Sequence, residues 1–367
     1  MRKPFIQFLR DGLTEVTTGG TTYHAWMAIL TLLMCAGAFA YTVQLREGLS
    51  ATGMHDSVSW GLYISNFTFL VGVAAGAVTL VLPAYILHDV DFKQAVLIGE
   101  GLAVAALVMA IAFVVVDVGG PARLWHLIPF IGLMNWPRSM LAWDILVLNG
   151  YLILNVTIPF YILFSHYRDR EPDKRRYYPA VLISVFWAVA LHLVTAFLYS
   201  GLPARPFWNS ALLGPRFLAT AFAAGPALMI LILQNIDSKT DYKVGTEVIR
   251  KLALVVTVAA QITIIMQVSE MFSAFYRLTH HSLSAQYLFF GLEGHTKLRP
   301  WIWSSMAMLV VATALLTIHS LRENRKLLST ALPLNTKPAF AVNTISGKPG
   351  CGEINSMLAC FAIRARN

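Results

Sequence analysis

Residues 60–88 have the sequence WGLYISNFTFLVGVAAGAVTLVLPAYILH and contain no Asp, Glu, Lys or Arg. A run of roughly 20 apolar residues is long enough to cross the hydrocarbon core of a bilayer as a helix. An α-helix satisfies its backbone hydrogen-bonding groups within the segment, as a lipid environment requires. This stretch therefore predicts a membrane-spanning helix and indicates the fold class of the chain.

Similar apolar runs recur along the chain. Hydrophobic residues make up 57% of the 367 positions and charged residues 13%, about half the charged share of an ordinary soluble domain. We predict an all-α, polytopic membrane protein over residues 1–330, followed by an irregular cytoplasmic tail over residues 331–367. The eight predicted spans, numbered 1 to 8, cover about residues 23–44, 58–87, 94–117, 140–165, 177–200, 210–235, 249–272 and 300–320.

The distribution of Lys and Arg predicts the orientation of these spans. If the N-terminus is cytoplasmic, the inner segments carry 20 of the 28 basic residues and the outer loops carry 7. Such an imbalance follows the positive-inside rule. Both termini are therefore predicted to be cytoplasmic, in a multi-pass protein of the cytoplasmic (inner) membrane. The net charge of +9 then needs no nucleic-acid partner, because the basic residues fix topology beside the lipid bilayer.

Cysteine and histidine patterns predict no metal centre on this chain. None of Cys35, Cys351 and Cys360 belongs to a C-x-x-C or C-x-x-C-H motif, which iron–sulfur clusters and c-type haems use. A b-type haem needs histidines on facing helices, and only His192 lies well within a predicted span. We expect no haem, iron–sulfur cluster or other metal site here.

Four of the ionisable residues inside the predicted spans, where charge is costly, lie toward one side of the membrane. Asp144, His192, Arg216 and Glu270 all fall toward the outer side of the membrane. Such residues usually face a cavity or one another, and they mark substrate or proton sites. We expect Asp144 and His192 to hydrogen-bond a ligand and exchange protons with it. Arg216 would be their charge partner, and Glu270 would belong to a proton path.

Further polar and aromatic side chains accompany these four at helical spacing. Steps of 3, 4 or 7 residues return to nearly the same face of a helix. Glu100 stands apart, near the cytoplasmic end of span 3, where an acid could begin a proton path. The other candidates are Tyr63 and Asn66 on span 2, Asp117 at the end of span 3, His126 in the following loop, Tyr151 and Asn155 on span 4, and Thr195 and Tyr199 on span 5.

Each of these residues also has an ordinary structural interpretation, although their joint occurrence at one side is harder to explain in that way. Interfacial aromatic belts and interhelical hydrogen bonds are common in membrane proteins. The structural alternatives are an aromatic belt for Tyr63 and Tyr199, an Asp144–Arg216 ion pair joining two bundles, solvation for Glu270, interhelical hydrogen bonds for Asn155 and Thr195, and a backbone cap or helix pairing for Glu100.

A site lined by an acid, a histidine, an arginine and aromatic rings suits a quinone. The carbonyl oxygens of the headgroup need hydrogen bonds and a nearby proton donor or acceptor, and the isoprenoid tail needs apolar helix surface. A proton-coupled transporter would present similar buried charges. A passive membrane anchor for a peripheral redox enzyme stays open as a third interpretation.

Several segments in order resemble one family. The stretch at 60–88 looks like the second span of the NrfD-like, polysulfide reductase type membrane subunits. The resemblance runs from about residue 20 to 330 and is greatest to the DsrP branch, the quinone-interacting subunit of the sulfite-reduction-associated Dsr complex, with Hmc-type subunits a close second. The supporting segments are VVDVGGPARLWHL at 115–127, SMLAWDILVLNGYLILN at 139–155, WAVALHLVTAFLYSGLPARPFW at 187–208 and PRFLATAFAAGPAL at 215–228.

This resemblance implies a function in electron transfer. Such subunits carry no redox cofactor of their own, and they bind menaquinone near the outer face. A partner subunit with ferredoxin-like iron–sulfur clusters lies against that face, alongside cytochrome and further membrane subunits. Their fold pairs two four-helix bundles. The family pattern of acids in spans 3 and 4, His in span 5 and Arg in span 6 maps onto Glu100, Asp117, Asp144, His192 and Arg216.

The tail departs from that branch. Long-form members continue with two more spans, whereas residues 331–367 contain no apolar run longer than about 10 residues, too short to cross a bilayer. We expect either a shorter eight-span form or a change of reading frame in this region.

Overall fold

The computed structural model describes residues 5–54, 60–128, 131–202, 207–276, 280–292, 294–319, 322, 324 and 328–335. Within these ranges the chain is helical, and its only β-type pairing is a single bridge between Leu292 and His295. The all-α prediction is therefore confirmed for the part of the chain that is described.

Eight helices are long and apolar enough to cross a membrane, and each overlaps one predicted span. We keep the numbers 1 to 8 for them. The end that carries Asp144 and His192 is called the outer end, following the predicted topology. The spans are Thr21–Glu47, Leu62–Ile86, Ala95–Asp117, Met140–Tyr167, Lys174–Ser200, Leu213–Lys239, Thr246–Tyr276 and Arg299–Thr317.

Besides the helix at 328–335, four shorter helical segments were not expected from the apolar runs. Phe5–Thr17 is an amphipathic helix before span 1, and its Phe5 and Phe8 rings contact Phe160 and Phe164 at the inner end of span 4. The other three lie in outer connections: the 3₁₀ turns Leu49–Thr52 and Pro121–Leu127, and the helix His280–Phe289.

Spans 2 and 6 cross at the centre of the bundle. A Cβ atom added to Gly76 would lie 2.6 Å from the Cα of Gly225, and one added to Gly225 would lie 2.6 Å from the Cα of Gly76. Small residues at such a crossing let two backbones approach closely in a membrane. The sequence Ala-Ala-Gly occurs at 74–76 and again at 223–225, and the two copies meet each other at this crossing.

The other spans surround this crossing, except for span 1. Span 2 also packs on spans 3 and 5, span 6 on spans 5 and 7, span 4 on spans 3 and 5, and span 8 on span 7. In span 1, Gln44 is the sole buried residue. Its amide donates to Val116 O at 2.8 Å, and its Oε1 accepts from the Tyr63 hydroxyl at 2.8 Å. The predicted pairing of two four-helix bundles and the cytoplasmic placement of both ends stay predictions.

The inner end of span 2 is irregular. Its last turn, Leu82–Ile86, is π-helical and contains Pro83, which cannot donate a backbone hydrogen bond.

Asp89 caps the helix that continues as span 3 by accepting from Asp91 N at 3.1 Å. The Lys251 ammonium, 2.5 Å from Asp89, lowers the pKa of that carboxyl. This pair joins the inner ends of spans 3 and 7.

The first residues of the tail are helical, although the sequence predicts an irregular segment there. Residues 328–335 are helical, so the predicted irregular tail is wrong for residues 331–335. Leu328, Ala331 and Leu332 are buried in the inner core, and the Asn335 amide donates to Ala223 O of span 6 at 3.4 Å. Burial of these apolar side chains explains the ordered helix, because hydrophobic contacts stabilise a segment without spanning length. Cys351, Cys360 and the rest of the tail lie outside the described residues.

Candidate functional site

The predicted polar faces of spans 4 and 5 meet at the outer end. The Thr195 hydroxyl donates to Asp144 Oδ1 at 2.7 Å and also lies 3.0 Å from the carbonyl of Leu191. Asp144 is 2% exposed and Thr195 is fully buried. His192 lies three residues before Thr195 on the same helix face. Asp144, Thr195 and His192 therefore lie at the outer ends of two packed spans, and a shared role of Asp144 and His192 at one ligand stays a prediction.

His192 has one ring nitrogen bonded and one without a partner. Nε2 lies 2.6 Å from the carbonyl oxygen of Phe217 on span 6. A carbonyl can only accept, so Nε2 must carry the hydrogen, and in neutral imidazole Nδ1 is then an acceptor. Nδ1 is buried and has no hydrogen-bond partner among the described residues. A buried polar atom without a partner is costly, and a hydroxyl-bearing ligand would satisfy this one.

Tyr199 closes the same cluster toward the outer surface. Its hydroxyl lies 2.5 Å from the Thr68 hydroxyl of span 2 and 3.3 Å from Ile64 O. Its ring makes edge contacts with Trp60 and Trp208, which stack on each other at 5.7 Å. Because Tyr199 is 2% exposed and hydrogen-bonded inside the bundle, it is not an aromatic-belt residue.

Arg216 has a different partner from the one predicted. It forms a salt bridge with Glu270 of span 7, and Gln267 accepts from the same guanidinium at 3.5 Å. No ion pair joins Arg216 to Asp144 in the described part of the chain. Spans 6 and 7 are packed neighbours, whereas Asp144 lies on span 4, which packs on spans 3 and 5. Arg216 as charge partner of Asp144, and the alternative structural Asp144–Arg216 pair, are therefore both wrong. The Glu270 side chain is 13% exposed, so it is not simply solvated.

Tyr63 and Asp117 belong to a second polar group, which faces span 1. The Tyr63 hydroxyl donates to Gln44, as described above, and its ring lies 6.3 Å from that of Phe113. Asp117 follows Val116, whose carbonyl accepts from Gln44, and its buried Oδ1 has no partner among the described residues. Spans 2 and 3, which pack on each other, therefore hold this second group against span 1.

Two further candidates are not joined to either group. The Asn66 amide donates to Leu62 O of its own helix at 2.9 Å. His126 lies in the 3₁₀ turn after span 3 and stacks on Trp125 at 3.9 Å. The structure places both toward the outer end and records no contact of either with Asp144 or His192.

Tyr151, Asn155 and Glu100 lie deeper in the bundle. The Tyr151 hydroxyl donates to Ala74 O of span 2 at 3.3 Å, and the Asn155 amide donates to Tyr151 O within span 4 at 2.9 Å. Tyr151 is seven residues from Asp144, about 10 Å along the helix axis. Glu100, 2% exposed, accepts from the Tyr85 hydroxyl at 3.3 Å. That acid therefore pairs with a tyrosine of span 2.

Three residues that contact the predicted site residues were not predicted from the sequence. Thr68 and Gln44 make the contacts described above with Tyr199 and Tyr63, and Trp208 covers Tyr199. A threonine in a span carries no special signal, since its hydroxyl usually bonds its own helix. Gln44 could have been found, because an amide near the outer end of an apolar span is unusual. Among the described residues, no group of three or more His, Cys, Asp or Glu could hold a metal ion.

A bundle of eight apolar helices with buried acids, a histidine and an arginine near one end defines a polytopic membrane protein that carries ionisable groups inside its helix bundle. Residues 50–334 match the family described as Polysulphide reductase, NrfD. The match covers most of the chain, which therefore belongs to the NrfD family of multi-pass integral membrane proteins.

Curated relatives give this membership a context. A putative membrane subunit of dimethyl sulfoxide reductase from Halobacterium salinarum is 28% identical over 241 residues, 61% of this chain and 54% of the relative. An Hdr-like menaquinol oxidoreductase integral membrane subunit from Archaeoglobus fulgidus is 27% identical over 233 residues, 64% of this chain and 56% of the relative. A selenate reductase subunit from Mesobacillus selenatarsenatis is 22% identical over 288 residues, 70% of this chain and 66% of the relative. The chain thus spans between 54% and 66% of these relatives.

Proposed function

We propose that this chain is the quinone-reactive membrane subunit of a respiratory oxidoreductase complex in the cytoplasmic membrane. It would exchange electrons between menaquinone or menaquinol and a ferredoxin-like iron–sulfur subunit at the outer face. Family membership supports a role within a multi-subunit complex, and one relative is by name a menaquinol oxidoreductase subunit. The three relatives are named for different activities, but each is named as one subunit of a reductase or oxidoreductase.

The observation that carries this proposal is the unpartnered acceptor Nδ1 of His192 on span 5, together with the buried Asp144 carboxyl on span 4, which packs on span 5. His192 Nδ1 can accept a hydrogen bond from a quinol hydroxyl, or donate one to a quinone carbonyl once it is protonated. Asp144 can take or return a proton next to it, with Thr195 holding its carboxyl in place. Quinol oxidation releases two protons and two electrons. The protons would pass to these two side chains and the electrons to the iron–sulfur clusters of the partner.

The remaining candidate residues would cover the site, contact a longer ligand or belong to proton paths. Tyr199 and its tryptophan neighbours would cover the site, and Tyr151 would bound it on the inner side. Tyr63, Asn66, Asp117 and His126 would contact the headgroup or tail only if the ligand extends toward span 1. Glu100, bonded to Tyr85, and Glu270, paired with Arg216, would belong to proton paths.

The particular complex is part of the proposal. The motif resemblance favours a Dsr-type complex of sulfite or sulfate reduction, with an Hmc-type complex second, and so predicts cytochrome and further membrane subunits as partners. Two of the relatives are instead named as subunits of a putative dimethyl sulfoxide reductase and of a selenate reductase.

Replacing Asp144 by Asn tests the proposal. The amide keeps the size of the carboxyl but cannot exchange protons, so quinol-coupled turnover of the purified complex should fall by on the order of a hundredfold. Assembly, measured by co-purification of the partner subunits, should stay normal. Asp11→Asn makes the same chemical change on the amphipathic helix Phe5–Thr17, far from the site, and should leave turnover unchanged. Normal turnover in an assembled Asp144→Asn complex would contradict the proposal and favour a passive anchor.

A further inference from the structure

A cavity of about 300 Å³ opens at the inner end of the bundle, away from the Asp144–His192 site. It lies where the inner ends of spans 2, 3, 4 and 5 meet, so its mouth is at the level of the predicted cytoplasmic lipid headgroups. Its lining residues are Ala84, Tyr85, His88, Lys93, Val96, Leu97, Ile162, His166, Glu171, Pro172, Lys174, Tyr177 and Tyr178.

The rim of this inner cavity is basic. Lys93 and Lys174 line it from spans 3 and 5, together with His88 and His166, against a single acid, Glu171. Neither lysine forms an ion pair with a carboxylate among the described residues, in contrast to Lys251, which binds Asp89 nearby. Two such ammonium groups that face one cavity would stabilise an anion between them.

The wall of the cavity beneath the rim is apolar and aromatic. Ala84, Val96 and Ile162 are buried apolar residues at this level. The rings of Tyr85 and Tyr177 meet edge to face at 5.9 Å. A basic rim above an apolar wall suits an amphiphile that has an anionic head and a hydrocarbon tail, because each part finds a matching surface.

We propose that the inner cavity binds a phosphate-bearing headgroup, supplied by an anionic phospholipid of the predicted cytoplasmic leaflet. Basic pockets between spans on that side are suited to anionic lipid heads, and each nearby Lys or Arg contributes about 1 kcal/mol to such binding. A soluble phosphate ester shares the headgroup chemistry but would not use the apolar wall. The proposal does not depend on the quinone function, since the two sites lie at opposite ends of the bundle.

Native mass spectrometry of the purified protein tests this site. The protein would be titrated with phosphatidylglycerol and, separately, with zwitterionic phosphatidylcholine. We expect saturable binding of phosphatidylglycerol, weakened about thirtyfold in the Lys93→Gln/Lys174→Gln double variant, from the loss of two lysines. The Lys239→Gln/Lys243→Gln variant removes two cations from another inner segment and should bind as the wild type does. Equal binding of both lipids, or unchanged phosphatidylglycerol binding in the cavity variant, would overturn the proposal.

Two added measurements separate folding from binding and lipid from soluble phosphate. Thermal unfolding of both double variants should match that of the wild type, and a cavity variant that unfolds early would be replaced by the single variant Lys174→Gln, with about fivefold weakening expected. Glycerol 3-phosphate should compete only at concentrations far above those of the lipid. If it binds as tightly as phosphatidylglycerol, the assignment to a lipid is wrong.

Discussion

Asp144 and Thr195 share a single hydroxyl hydrogen. The Thr195 hydroxyl lies within bonding distance of both Asp144 Oδ1 and Leu191 O, but it can donate to only one of them at a time. When Asp144 is ionised, its Oδ1 accepts the hydrogen bond from the Thr195 hydroxyl. A protonated Asp144 can donate to the Thr195 oxygen instead, while Thr195 donates to Leu191. The contact therefore accommodates both protonation states of the acid, as proton exchange with a quinol requires.

The variant Thr195→Val tests this arrangement, because valine keeps the shape and removes the hydroxyl. Hydrogen bonds to charged groups contribute about 1.5–3 kcal/mol. We expect at least about tenfold weaker binding of a quinone analogue, or an equal loss of turnover. The measurement is a fluorescence or calorimetric titration of the purified protein.

Thr257→Val is the matched control for that change. Thr257 is also buried in a span, but its hydroxyl bonds Ala253 O and Leu316 O in the inner half of the protein. It should leave analogue binding unchanged. Equal effects of the two substitutions would show that the loss at position 195 is a general packing effect, and they would contradict a role for the Asp144–Thr195 bond.

The burial of Asp144, His192, Arg216 and Glu270 could be predicted from their positions alone, since charge within an apolar run rarely faces lipid. Their partners could not. Arg216 pairs with Glu270 because spans 6 and 7 are in contact at that depth, and no spacing along one helix reports which helices are neighbours. The single bonded nitrogen of His192 likewise depends on the carbonyl of Phe217, a tertiary contact.

At the scale of elements, the spans were predictable because apolar length is a local property of the sequence. The amphipathic helix Phe5–Thr17 was missed because Arg10, Asp11 and Glu15 interrupt its apolar residues. The helix at 328–335 was missed because its stability comes from burial against other spans. The sequence shows the residues of the Gly76–Gly225 crossing only as a repeated Ala-Ala-Gly motif. That the two copies touch is known only from the three-dimensional structure.

Gly76→Ala should destabilise the protein. Its new methyl group would lie 2.6 Å from the backbone of Gly225 and 3.1 Å from the ring of Pro226, neither of which can turn aside as a flexible side chain would. Overpacking of this kind costs typically about 1–3 kcal/mol. A lower midpoint of thermal unfolding in detergent is the expected result.

Gly101→Ala provides the comparison for this substitution. A Cβ atom there meets nothing within 4 Å, and alanine is favoured over glycine in a helix by about 1 kcal/mol. This variant should be as stable as the wild type or more so. A Gly76→Ala protein that unfolds no earlier than Gly101→Ala would mean that spans 2 and 6 are not in close contact.

For the whole molecule, the side of the membrane on which the Asp144–His192 site lies depends on which end of the bundle faces the cytoplasm. The excess of Lys and Arg at the end that carries the inner cavity predicts that this end is cytoplasmic. The Asp144–His192 site then faces the opposite side, where an iron–sulfur partner would dock. The grouping of spans into two four-helix bundles is a separate prediction, and span 1, with only Gln44 buried, is the element on which it depends.

Single-cysteine labelling tests the orientation. Native cysteines would be replaced by serine, and Arg170→Cys and Arg123→Cys introduced singly at exposed positions of an inner and an outer connection. A membrane-impermeant maleimide added to intact cells, with the outer membrane permeabilised where one is present, should label the Arg123→Cys protein. It should label the Arg170→Cys protein only after the cytoplasmic membrane is opened. The reverse pattern would place the Asp144–His192 site on the cytoplasmic side.

A titration of the purified complex with a quinone analogue tests whether Asp144 and His192 bind a quinone headgroup. We expect saturable binding to the wild type, binding weakened about tenfold or more in Asp144→Asn through loss of a charged hydrogen-bonding group, and unchanged binding in Asp11→Asn. Equal affinity in all three proteins would place the quinone elsewhere. Absence of saturable binding to the wild type would contradict the quinone function itself.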